Sequence, residues 1–227
     1  LMLDSLFTGE KLDEGFACTG GITPNGKVTS IGGVAAKIRG ATRRDCTIVG
    51  VPEGNAKGVN DILVLDGVQQ LLDIQVFTMK DMDEARALSR EEKDKDVQST
   101  LDDFKSVADV IAEQGEAALK NTRVQERLEA VLEAMPNHIS AKLLLDHIRG
   151  DAPERLSVGG SFHEIDSRSS AVFSRVQRTM MRGKVSEADE AESAAADARE
   201  ELEELDGKIH EKFEDYLNCL LYTSDAA

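Results

Sequence analysis

Apolar and polar positions along the first ninety or so residues separate short strands from short helices. Residues 16–19 and 28–31 are apolar stretches flanking Pro24-Asn25-Gly26-Lys27, where Asn-Gly signals a tight turn. Residues 33–44 carry Val34, Lys37, Ile38 and Ala41 at helical spacing, which predicts a helix with Lys37 at the border of its buried stripe. Residues 46–51 form a short apolar strand ended by Pro52, and residues 59–63 read as a turn of helix or a loop. Residues 73–78 alternate as a strand, and residues 81–88 form a closing helix. This order predicts an α/β domain.

The pattern changes at Arg90-Glu91-Glu92-Lys93-Asp94-Lys95-Asp96, beyond which strand signals nearly vanish. Residues 97–120 read as an amphipathic helix with Leu101, Phe104, Val107, Ala108 and Ile111 on one face. A second helix, 124–135, stops before Pro136; a third begins at Ser140, carries Ala141, Leu144, Leu145 and Ile148, and ends at Gly150. The last two resemble a single tetratricopeptide-like hairpin, although stacked repeats normally come in several copies, and a generic helical hairpin fits as well. Residues 151–160 read as a Pro- and Gly-containing loop and 162–181 as another helix. Residues 187–213 are strongly acidic, with Ala194, Ala198, Leu202, Leu205 and Ile209 as a thin stripe. That stripe suits a coiled-coil arm with a solvated acidic face. A homo-oligomer is compatible with it, but the stripe is too short and alanine-rich to set a number of chains. The expected organisation is an α/β domain over 1–90, a helical region over 91–183, an acidic helix or coiled coil over 184–218, and a non-native tail over 219–227, which resembles translated sequencing adapter.

Composition narrows the partners. The chain has 227 residues and a formal charge of -16, which argues against nucleic acid because phosphate binding needs a basic face. No apolar run is long enough to span a bilayer. Cys18, Cys46 and Cys219 lack metal-ligand spacing, and Cys18 and Cys46 are expected as small buried residues on strands. His138, His147, His163 and His210 are scattered, show no zinc pattern, and read as surface or helix-packing residues. Gly20-Gly21 and Gly32-Gly33 lack the glycine spacing of phosphate-binding loops, so no cofactor is expected in this segment.

The candidate chemistry lies at Ser30-Ile31-Gly32-Gly33-Val34-Ala35-Ala36-Lys37. Paired glycines let a strand turn sharply into a helix. A lysine in the first helical turn sits at the positive end of the macrodipole, which disfavours its protonated form. Desolvation by apolar neighbours would act in the same direction and free the amine to serve as a base. A lysine so placed is more often a solvated surface residue.

Three blocks add a resemblance. Ala17-Cys18-Thr19-Gly20-Gly21-Ile22-Thr23, then Asn25-Gly26-Lys27-Val28 with the glycine turn to Lys37, and Thr47-Ile48-Val49-Gly50-Val51-Pro52-Glu53-Gly54-Asn55 resemble the C-terminal half of the proteolytic domain of Lon-type serine peptidases. The separation of Thr19 and Lys37 matches without a gap. Ser30 stands where that family usually has proline, and Gly21 where it often has glutamate. The resemblance implies that Lys37 is the lysine of a Ser–Lys dyad and that Thr19 orients its amine. It implies polypeptide substrates, and ATP only through an upstream module. The family's Asp-Gly-Pro-Ser-Ala-type stretch does not occur here, and Ser5 belongs to the helix that would follow it. The chain is therefore expected to be an N-terminally truncated piece of a serine endopeptidase, inactive as given. The alternative is a non-catalytic scaffold with a degenerate peptidase-like fold; a serine in a Gly-Pro-Ser-type turn just upstream would discriminate in favour of the enzyme.

Overall fold

The computed structural model describes residues 1–182, 193, 196, 197 and 199–223. Contacts divide the chain into two compact units, Leu1–Pro153 and Glu154–Ala227. In the first, α1 (Met2–Thr8) is followed by β1 (Phe16–Cys18) and the hairpin β2 (Gly21–Ile22) and β3 (Val28–Thr29). Then come α2 (Val34–Thr42), β4 (Ile48–Pro52), α3 (Ala56–Asp73), β5 (Gln75–Met79) and α4 (Met82–Ser89). Strands β1, β4 and β5 form a parallel sheet with β4 central, Phe16 opposite Ile48 and Ile48 opposite Gln75. Every residue of β4 and β5 is buried, as parallel strands covered on both faces must be. The expected α/β domain followed by helices is the observed architecture.

Helices α5 (Lys95–Gln114), α6 (Thr122–Ala134) and α7 (Ile139–Arg149) complete this unit. Phe104, Ile111, Leu128, Leu143 and Leu144 pack in the same core as Ile38, Val51, Ile62, Leu71 and Val76. The sheet and the helices after Arg90 thus share one apolar interior. The turn between α6 and α7 also closes the free edge of β5. Thr78 N–H donates to Asn137 O at 3.0 Å, and Asn137 Nδ2 donates to Thr78 O at 2.9 Å. Ser140 Oγ accepts from Val76 N–H and donates to Ile74 O, each at 2.9 Å. An uncovered strand edge would leave those groups unpaired, so this docking removes a pairing liability.

Three local expectations are corrected. Residues 59–63 are part of the 18-residue helix α3, interrupted only at Gly67, whose φ of 74° is non-helical. Its apolar residues Val59, Ile62, Leu63, Val68 and Leu71 do not fall on one clean stripe, because α2, α5 and α7 all pack against it. The helix expected to Lys120 stops at Gln114, where Gly115 takes φ 77°; a short 3₁₀ turn, Glu116–Lys120, follows. Cys18 is exposed and Cys46 half-buried rather than buried: β1 is an edge strand, and Cys46 precedes β4.

In the second unit, α8 (Val158–Arg182) begins earlier than expected, with Gly160 N–H donating to Ser157 Oγ at 3.0 Å. Leu156, Ile165, Leu202, Leu205, Ile209 and Leu217 are buried. Residues 184–192, 194, 195 and 198 of the expected acidic segment, Ala194 and Ala198 among them, and 224–227 of the expected tail lie outside the described residues. Within the tail, Cys219 to Thr223 continue the helix Glu214–Thr223.

Candidate functional site

The turn before Lys37 is built on one backbone requirement. Gly33, the residue preceding α2, has φ 64° and ψ 42°, a left-handed conformation that side-chain-bearing residues adopt at a cost. It reverses the chain after β3 so that Val34, Ala35, Ile38 and Ala41 bury on the sheet. Lys37 N–H donates to Gly33 O at 3.2 Å, which places the lysine in the first helical turn.

The Lys37 side chain is exposed, and its Nζ donates to Gly32 O at 2.5 Å. The amine folds back over the turn that launches its own helix. A carbonyl oxygen there offsets the positive end of the helix, which would otherwise repel an ammonium. The desolvating neighbours that a buried base needs are absent around Lys37 among the described residues.

Thr19 follows β1 and is half-buried; its amide donates to Gly50 O at 3.0 Å, continuing the β1–β4 ladder. No hydrogen bond joins its side chain to Lys37 among the described residues. The two residues leave the same α/β frame by different routes: Thr19 at the end of β1, Lys37 through the glycine turn after β3.

The glycine turn is held from outside by Asn55, in the turn after β4. Asn55 Oδ1 accepts from Ile31 N–H at 2.9 Å, and its Nδ2 donates to Ile31 O at 2.8 Å. In the sequence Asn55 appears only as the last residue of the block Thr47–Asn55, with no role; an amide closing Pro52-Glu53-Gly54-Asn55 is the one signal that marks it. His138, read as a surface or packing residue, is fully buried between Phe77 and Phe104, with ring centroids 4.4 and 4.5 Å away.

On α1 the apolar side chains face outward: Leu6 is 80% and Phe7 89% exposed, and no residue of this helix is buried. Asp4 nevertheless anchors α1 to α4 through a two-pronged ion pair with Arg86, at 2.8 and 2.9 Å. A cleft of about 480 Å³ lined by Glu53, Thr78, Lys80, Glu84 and Asn137 contains neither Lys37 nor Thr19. Among the described residues no cluster of three or more His, Cys, Asp or Glu side chains is arranged to hold a metal ion. No helix among them is long and apolar enough to cross a membrane.

Comparison with known proteins bears on the same segment. Residues 1–89 match the family described as the Lon protease C-terminal proteolytic domain. The chain is also similar to the Lon protease of Clostridium beijerinckii, with 40% identity over 80 residues. That alignment covers 35% of this chain and spans about a tenth of the relative, 10% of its length.

Proposed function

We propose, from the match of residues 1–89 to the Lon-type proteolytic-domain family, that this chain carries the lysine half of a Ser–Lys endopeptidase site. The observation that supports the reading most is Lys37 itself, fixed by a left-handed glycine at the first turn of α2 with its amine gathered over Gly32 O. Residues 1–227 contain no Asp-Gly-Pro-Ser-Ala stretch, so the serine comes from another polypeptide segment in this reading. That segment would also cover the amine and desolvate it, favouring its neutral form.

The chemistry then follows from the groups. The serine oxygen attacks the peptide carbonyl while neutral Lys37 takes the hydroxyl proton. The protonated amine returns that proton to the leaving amine as the C–N bond breaks. Water attacks the acyl-serine, its proton passing to Lys37 and then back to the serine oxygen. Thr19 contributes by orienting the lysine amine, and polypeptides are the substrates. In this reading any dependence on ATP would come only through a module outside residues 1–227.

The test uses a complete protein in which the serine segment is present. Lys37→Ala should abolish cleavage of casein, and Thr19→Val should reduce it less severely. Cleavage by Lys37→Ala at the parental rate removes the dyad, and an undiminished Thr19→Val rate removes Thr19 from the site. The chain of residues 1–227 alone should release no peptides.

A further inference from the structure

We infer that Asn55 is a positioning residue for Lys37: its side-chain amide holds the backbone of Ile31 and, through it, the Gly32 carbonyl on which the lysine amine rests. The inference rests on the catalytic reading of Lys37 for its functional meaning, but not for its geometry.

Ile31 lies beyond β3, which ends at Thr29, so no neighbouring strand supplies its partners. Asn55 replaces that missing strand. One amide meets both main-chain groups of a residue 24 positions earlier, accepting from N–H at 2.9 Å and donating to the carbonyl at 2.8 Å. The pair fixes the direction in which the chain enters Gly32. The next carbonyl along, that of Gly32, receives Lys37 Nζ at 2.5 Å. The contact is close elsewhere too: a Cβ on Gly54 would collide with Ser30 Oγ, so the turn after β4 is pressed against the turn before α2. Both sides of this clamp are set by the main chain. Asn55 ends the 3₁₀ turn Glu53–Asn55 that joins the fully buried strand β4 to α3, and as the residue preceding α3 it cannot drift without moving that helix.

A residue that merely stabilised the fold would leave the lysine amine where it is. A positioning residue would not. The experiment follows the Lys37 side-chain resonances and the rate of reductive methylation of its amine in the whole chain, in the parent, in Asn55→Ala and in Gln70→Ala. Gln70 is the control, because its Nε2 donates to Thr42 Oγ1 at 2.6 Å, at the opposite end of α2. Asn55→Ala should shift the Lys37 resonances, change its methylation rate severalfold and speed amide exchange at residues 31–33 about tenfold. Gln70→Ala should leave all three unchanged. Equal responses in the two variants, or none in Asn55→Ala, overturn the proposal. Should Asn55→Ala fail to fold, amide exchange in the parent still decides: an unprotected Ile31 N–H shows that the clamp is not formed and overturns it, and a protected one supports it. If Asn55→Ala moves Lys37 while Lys37→Ala keeps full peptidase activity in the complete protein, the positioning stands and the catalytic reading falls.

Discussion

His138 and Gln75 share a buried hydrogen bond, Nε2 to Oε1 at 3.1 Å, that ties the start of α7 to β5. Nδ1 of the same ring accepts from Ala141 N–H at 3.2 Å, so the ring proton sits on Nε2 and Gln75 accepts it. Gln75 in turn donates to Leu101 O at 3.2 Å. The neutral imidazole has both nitrogens satisfied. A second proton would have to sit on Nδ1, facing an amide hydrogen.

Burial therefore pushes the His138 pKa down from 6.5 to about 3. Between those values the unfolded chain binds a proton that the folded chain refuses, so stability falls as pH is lowered. The contribution is complete above pH 6.5 and erodes below it at up to roughly 1.4 kcal/mol per pH unit. Urea midpoints measured from about pH 7 to pH 5 should decline in the parent and decline less in His138→Gln. Parallel declines would show that His138 does not set the slope.

Ser140→Ala should destabilise the first unit by about 2 kcal/mol, because it orphans both Val76 N–H and Ile74 O on the covered edge of β5. Chemical denaturation reads this directly. A change within the ordinary scatter of surface substitutions would mean that water replaces the hydroxyl there.

Lys93 is the most deeply buried ammonium among the paired lysines described, with 2% of its side chain exposed; it pairs with Asp13 and donates to Arg90 O at 2.9 Å. Asp13→Asn should cost about 3 kcal/mol, since it leaves a largely buried ammonium without its counter-charge. The double variant Asp13→Asn with Lys93→Met should recover part of that loss. A double-mutant cycle with no coupling would show the pair to be inert.

Lys37→Ala should change stability by less than about 0.5 kcal/mol, because the side chain is exposed and makes a single hydrogen bond. Gly33→Ala, at φ 64°, should cost about 1 kcal/mol or more from backbone strain just before the same helix. Thermal melts of the two variants distinguish a side chain free of structural duty from a turn that depends on its glycine. The reverse ranking would place the structural burden on the lysine.

Local signals carried much of the first ninety residues or so. Asn25-Gly26 marked the hairpin turn, Gly33 and the spacing of Val34, Ile38 and Ala41 marked α2, and Val49 and Val51 marked a buried strand. These are properties of neighbouring residues, so a linear reading reaches them. It missed most of α3, whose apolar residues serve several packing partners and therefore lack a single stripe.

From its own residues the chain reveals the strand–helix alternation, the change to helices after Arg90, and the lysine-bearing turn, because each depends on preferences acting over a few positions. Three-dimensional packing alone establishes that Asn55 grips Ile31, that residues 137–140 seal β5, and that Phe104 and Leu144 share a core with Val51. Those partners lie 24 to 93 positions apart, and nothing short of the folded path of the backbone brings them within a hydrogen bond or a van der Waals contact.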